Sequence, residues 1–247
     1  MKHIIVVFVL ATTLVTSALA CDKCKVYDNS PDFKIKSATV KHNKKFAQLE
    51  FEITVEGTAG KTVPKAAGKL DGAPVLGYVF PTTLKAEDVG FGKTDGIVAL
   101  ALTAHPDFDD SPLWDENADG IFDNDGIVWH PHWVVLTKDD RVKGGLSVKE
   151  FDKNDKSVKL PTTAPNMPMY MDSPGFAVVT EGNTIRVAVP TYRVNNQTAF
   201  KFDAVACYME VSAPAAGHTG GMSMPMLGVY NVYSVLSKNL SLPYKVQ

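Results

Sequence analysis

The residues from Ala47 to Val55 alternate strictly between apolar and polar side chains, and this pattern constrains the fold more than any other in the chain. Successive side chains of a β-strand point to opposite faces, so one face of this run is apolar and the other is polar. Asn43, Lys44 and Lys45 separate the run from a second alternating stretch, 33–42. The pattern predicts an antiparallel hairpin that packs one face on a hydrophobic core.

Further short runs rich in apolar and β-branched residues follow the hairpin, and strong helical periodicity is hard to find. Glycine- and proline-rich stretches separate these runs and are typical of loops. The predicted strands are 75–80, 97–103, 127–136, a short one near Leu146, 175–180, 184–189, 200–211 and 227–236. The sequence therefore predicts an all-β fold, with a single antiparallel β-sandwich-like domain and long loops at residues 21–247.

The first twenty residues have the pattern of an export signal. A basic start precedes the apolar run 4–10, and Ala18-Leu19-Ala20 forms a small-residue cleavage site before Cys21. We therefore expect residues 1–20 to be removed and the mature protein to lie in the periplasm or at the cell surface. A cysteine directly after the cleavage site is also compatible with a lipid anchor at Cys21.

Three cysteines, at 21, 24 and 207, favour a disulfide in an oxidising compartment. If Cys21 is acylated, Cys24 and Cys207 form the expected pair. A redox pair of Cys21 and Cys24 is the less favoured alternative, because no βαβ pattern surrounds it. The formal net charge of −2, without a basic patch, argues against a nucleic-acid partner.

An acidic segment lies between Lys93 and Lys138, where no lysine or arginine occurs. Its oxygen-bearing residues alternate as in a calcium-binding loop, with Gly120 at the sharp turn. Gly126 stands where an EF-hand has its bidentate glutamate, and a strand follows in place of a helix. We interpret the segment as a calcium loop outside the EF-hand class, the alternative being a solvated acidic turn. The expected ligands are Asp115, Asn117, Asp119, Ile121 through its carbonyl, and Asp123.

A His-Pro-His sequence follows the acidic segment in the run 127–136. In a strand, His130 and His132 share one face, and Trp129 and Trp133 share the other. Pro131 has no N–H for a sheet ladder, so the strand is expected at an edge, with both imidazoles exposed. The pair is a candidate metal half-site, and the alternative is two exposed or hydrogen-bonded histidines.

Six of the eight methionines lie in two Met-x-Met runs, 167–171 and 222–226, which are rich in Pro, Gly, Ser and Asn. Thioethers prefer Cu(I), and imidazole also binds copper. The alternative is that these methionines pack over the ends of the sandwich. Groups that could complete the histidine site are, in order of preference, His218 with Met222, Met224 and Met226, then the run 167–171, then His105.

The sequence offers two other candidate metal sites. A blue-copper site from Cys207, His218 and Met222 is disfavoured, because the Cys-to-His interval is longer than one tight ligand loop. A zinc enzyme needs three protein ligands and one open position. The sequence His-Pro-His-Trp at 130–133 is similar to the paired-histidine strand of α-carbonic anhydrases, which implies a third histidine a short way on, on a neighbouring strand. The next histidine here is His218, far downstream, so the resemblance covers four residues.

The chain from about Phe33 to Leu236 resembles the copper-repressible, surface-associated copper-binding proteins of methane oxidisers, the MopE and CorA group. The resemblance rests on TVEGTAGKTVPKAAGKLDGAPVLGYVFPTTL, AHPDFDDSPLWDE, the acidic segment and the histidine strand. It implies a β-sandwich-like domain, bound calcium, and Cu(I) held by two histidines and an oxidised tryptophan two residues before one of them. Here Val128 and His130 occupy those preceding positions, so the tryptophan ligand is not matched.

The sequence thus predicts an exported copper-binding protein that captures or carries copper through a His/Met site and has a structural calcium loop. We do not expect an enzyme. The expected partners are copper itself and an outer-membrane or periplasmic protein. The alternative is a zinc-dependent enzyme of the carbonic-anhydrase type that uses the His-Pro-His strand.

Overall fold

A computed structural model describes residues 21–66, 68–106, 125–165, 167–213 and 224–247. The five expected calcium ligands, together with His218 and Met222, lie outside the described residues. Within them, no helix is long and apolar enough to cross a membrane.

The described residues form strands joined by loops and four short helical turns. The helical turns are the α-helix α1 (Asp22–Lys25) and the 3-10 turns Pro31–Phe33, Ala86–Val89 and Thr191–Val194. The strands are β1 (Ile35–Asn43), β2 (Gln48–Val55), β3 (Pro74–Pro81), β4 (Ile97–Ala104), β5 (His130–Lys138), β6 (Leu146–Val148), β7 (Met171–Asp172), β8 (Val178–Glu181), β9 (Thr184–Pro190), β10 (Lys201–Phe202), β11 (Val205–Val211), β12 (Leu227–Val235) and β13 (Tyr244–Lys245). The expected strand 200–211 is therefore divided into β10 and β11.

The first layer is a four-stranded antiparallel sheet in the order β1-β2-β9-β8. Its β1–β2 pair is the hairpin that the alternating pattern predicts. Leu49, Phe51, Ile53 and Val55 have no exposed surface, whereas the residues between them are only partly buried. Ala47 differs from the expectation, because it lies in the turn with a φ of 49° and is exposed.

The second layer is a closed six-stranded antiparallel barrel. Its strands follow the order β4-β3-β11-β12-β6-β5, and β5 pairs back with β4 to close it. The predicted all-β, sandwich-like fold is confirmed, with one of the two layers closed on itself.

Side-chain alternation gives the barrel two hydrophobic cores. Its outward residues, including Tyr78 and Trp133, pack against the sheet; the Phe51 ring lies 6.2 Å from that of Trp133. Its inward residues, including Val134 and Val229, form a separate cluster inside the barrel. The histidine strand β5 contributes to both cores, so its two faces are fixed by burial on both sides.

The predicted Cys24–Cys207 disulfide is wrong. Cys24 is bonded to Cys21, and Cys207 is a buried free thiol. Cys24 belongs to the core between sheet and barrel, whereas Cys207 points into the barrel. The wall of the barrel separates them, because Cys207 alternates away from Tyr208, whose side chain is on the Cys24 side.

Candidate metal centre

Three buried histidines, His105, His130 and His132, meet at one end of the barrel. Each offers a ring nitrogen, and these nitrogens all lie within 4.8 Å of one another. His130 and His132 are on β5, and His105 directly follows β4, the neighbouring strand. Thr103 of β4 pairs with His130 of β5. Beyond this pair, the backbone N–H of His105 donates a hydrogen bond of 2.9 Å to the Gly126 carbonyl. The antiparallel register therefore brings His105 to the pair.

Backbone carbonyls orient two of the imidazoles. His105 Nδ1 lies 2.9 Å from the Pro106 carbonyl oxygen, and His130 Nδ1 lies 2.6 Å from that of Val128. A carbonyl oxygen only accepts hydrogen bonds, so both Nδ1 atoms carry the proton and donate. In the neutral rings, each Nε2 atom then presents a lone pair. Metal-binding histidines are commonly held in this way.

The two Nε2 atoms of His105 and His130 face each other at 2.9 Å. Two lone pairs at this distance repel one another unless a cation lies between them, either a proton or a metal ion. Imidazole binds zinc or copper-sized ions at about 2.0–2.1 Å, so two nitrogens on one ion lie at most about 4 Å apart. The three ring nitrogens, which all lie within 4.8 Å of one another, are close to this spacing.

His132 is held by the strand beside it. Its Nδ1 lies 3.0 Å from the hydroxyl of Ser173, which follows β7. The preceding residue, Asp172, has no exposed surface and accepts a hydrogen bond of 2.6 Å from the Thr163 hydroxyl. The pKa of the Asp172 carboxyl lies above its ordinary value because the group is buried. The hydrogen bond from Thr163 and the charge of Arg193 oppose this rise only in part. The buried Asp172 thus anchors the segment that orients His132.

Thioethers surround the same place. Met167, Met169 and Met171 line a small cavity of about 20 Å³ together with His105 and His132. The second-ranked methionine run of the sequence therefore lies beside the histidines. β7 carries Met171 and pairs with β5 at Val134 and Trp133, which places the run there.

The expected histidine pair is confirmed in its shared face, but two details are wrong. His130 and His132 are 5% and 2% exposed, so they do not face solvent. β5 is also not an edge strand, because β4 flanks one side and β6 and β7 flank the other. Among the described residues, however, β7 and β6 pair with β5 only from Trp133 onward. Pro131 therefore has no ladder to interrupt on that side.

The third histidine is the one that the sequence ranked last. Of the preferred group, Met224 and Met226 are partly buried, and Met226 packs against the core inside the barrel. They are not among the residues that line the cavity at the histidines. His105 could have been found from its place at the end of an apolar strand, since neighbouring antiparallel strands put such ends side by side.

The tryptophans lie on the opposite face of β5, as alternation predicts. Trp129 and Trp133 both belong to the core between sheet and barrel. Trp129 donates a hydrogen bond of 2.8 Å to the Gly60 carbonyl and packs 4.8 Å from the Tyr78 ring. Both indoles therefore serve packing and point away from the three imidazoles.

No protein-family model matches the chain, and no curated protein or solved structure shows significant similarity to it.

Proposed function

We propose that the protein binds one copper ion at His105, His130 and His132 and serves to capture or carry it. The observation that supports this most is the convergence of three buried imidazoles, two of which have their Nε2 atoms 2.9 Å apart. Three neutral nitrogens suit a borderline or soft transition metal better than Ca²⁺ or Mg²⁺, which prefer oxygen.

The methionines favour copper over zinc as the occupant. Thioether sulfur is a soft donor that selects Cu(I), and it is not an ordinary zinc ligand. Met169 and Met171 are 1% and 5% exposed and line the cavity that contains two of the imidazoles. Burial also suits a carrier, because a catalytic metal needs an open position for substrate.

A zinc-dependent enzyme of the carbonic-anhydrase type is the second candidate. It is favoured by one observation, namely that the third histidine comes from the strand next to the His-Pro-His strand. The zinc-loaded protein would then hydrate CO2 or hydrolyse simple esters. If the protein purified from its native compartment contains zinc and shows either activity, the zinc enzyme replaces the copper carrier as the proposed function.

The methionines provide a test of metal selectivity. Replacing Met169 and Met171 with leucine is expected to weaken Cu(I) binding while leaving Zn(II) binding unchanged, because only Cu(I) gains from thioether sulfur. Affinity is measured by anaerobic competition with a chromophoric Cu(I) chelator. Met209→Leu, a buried methionine inside the barrel wall, is the matched control. Equal Cu(I) affinity in all three proteins would remove the argument for copper.

Export and calcium binding belong to the same proposal. The signal-like residues 1–20 support export to the periplasm or cell surface, where an outer-membrane or periplasmic protein would be the partner. The acidic segment 107–125 supports a structural calcium ion. The resemblance to the MopE and CorA group is compatible with all three properties.

Calcium binding predicts a dependence of stability on chelators. An ion bound only by the native state stabilises it by roughly 2.7 kcal/mol at about 100 times its dissociation constant. A calcium chelator is therefore expected to lower the Tm, and Asp119→Ala should abolish the difference between chelated and calcium-loaded protein. Asp140→Ala, in an exposed turn, is the control. A melting curve of the native sequence that is unaffected by the chelator would contradict the calcium loop.

A further inference from the structure

We propose that the interior of the barrel is a second binding site, which takes a small, uncharged apolar molecule. This inference does not rest on the identity of the metal, and it holds for the metal-free protein as well.

The barrel contains a partly open cavity of about 230 Å³. All six barrel strands contribute side chains to its wall, so the cavity follows the barrel axis and is not a cleft between loops. The lining includes at least one residue from each strand, namely Val79 of β3, Ala101 of β4, Leu136 of β5, Val148 of β6, Cys207 of β11 and Val229 of β12.

The cavity lies beside β4, where this strand carries a small inward residue, Ala101. Ala99 and Ala101 belong to the core inside the barrel. Gly77 on β3 also faces inward, but Met209 fills the space beside it, since a Cβ atom added there would lie 2.8 Å from the Met209 methyl. The outward neighbours on the same strands are large, including Tyr78.

A cavity of this size is not expected inside a narrow barrel. A barrel of about eight strands is just wide enough for side chains to fill, and one of six strands fills more easily still. Unfilled apolar volume is destabilising, since its lining atoms lose their packing partners. An unfilled cavity of about 230 Å³ kept inside this barrel is therefore better explained by a ligand than by packing.

The lining determines the class of ligand. It consists of aliphatic side chains, the thioethers of Met171 and Met209, the Cys207 thiol and, at one end, Thr103 and His132. Burial raises the pKa of the Cys207 thiol to about 12, so the thiol is neutral. An apolar cavity of about 150 Å³ stays dry and accepts benzene. The larger volume here fits an uncharged molecule of about the size of indole, with any polar group directed towards Thr103 and His132.

The test uses metal-free protein and indole as the probe. Isothermal titration calorimetry is expected to show saturable binding, and indole should raise the Tm by mass action. Ala101→Leu fills the cavity and should abolish both effects. Ala188→Leu makes the same change on the outer face of β9, outside the barrel, and should leave both unchanged. Absence of saturable binding to the native sequence, or equal binding by the two variants, overturns the proposal.

A second variant keeps the proposal testable if Ala101→Leu does not fold. Val148→Ala enlarges the cavity from β6 and is expected to shift the preference from indole towards the larger naphthalene. An unchanged preference would show that the probe binds elsewhere and would also overturn the proposal. Copper binding by the native sequence is measured in parallel. A protein that binds indole but does not bind copper would refute the proposed function and leave the cavity proposal intact.

Discussion

Replacing His130 and His132 together with alanine is expected to abolish stoichiometric copper binding. The double variant removes two of the three imidazoles that lie within 4.8 Å of one another, and His105 alone does not make a tight site. The variant should fold, but with a lower Tm, because both side chains are buried and their removal leaves unfilled space. Copper content after loading is measured by elemental analysis, and folding by near-ultraviolet circular dichroism.

Two further variants sharpen this test. His105→Gln keeps a polar side chain of similar length but removes one imidazole. Loss of a group that only hydrogen-bonds to a metal ligand weakens metal affinity roughly 10- to 100-fold, so loss of the ligand itself should weaken copper binding by at least as much. His42→Ala, on β1 of the other layer, is the matched histidine control and should bind normally. Full copper content in the folded double variant would show that the triad is not the copper site.

Replacing Phe51 with alanine is expected to destabilise the fold by about 3–5 kcal/mol, the usual cost of truncating a buried aromatic side chain. Phe51 has no exposed surface, and its ring lies 5.2 Å from Phe80 and 6.2 Å from Trp133. It therefore packs the sheet against the outer wall of the barrel, at the strand that carries the histidines. The free energy of unfolding is measured by urea denaturation of the metal-free protein.

Phe46→Ala is the control for this prediction. Phe46 lies in the β1–β2 turn and is 63% exposed. Its loss is expected to change stability by no more than about 0.5 kcal/mol, as for most surface substitutions. Equal effects of the two substitutions would contradict the packing of sheet on barrel.

Local pattern was sufficient for the strands and for the shared face of the histidine pair. Alternation from Ala47 to Val55 predicted the hairpin and its buried face, since the side-chain period of a strand is fixed by its backbone. The same period put His130 and His132 on one side of β5 and the two tryptophans on the other. These properties depend only on neighbours in sequence.

Pairing between distant segments was decided by the tertiary structure. Closure of the barrel needs β4 to pair with β5 across the acidic segment, and no local pattern specifies that partner. This closure buries the histidines that were expected to be exposed, and it places β5 inside a sheet despite Pro131. It also puts Cys207 inside the barrel, away from Cys24.

The metal centre shows the same division. The sequence by itself determined which donor types the chain offers and which two share a face, because both follow from composition and strand geometry. The position of His105 beside the histidine pair, and of the 167–171 methionines beside the same imidazoles, depended on strand register. Register is set by the burial of whole strand faces against other strands, and that free energy belongs to the assembled sheet and barrel and to no single segment.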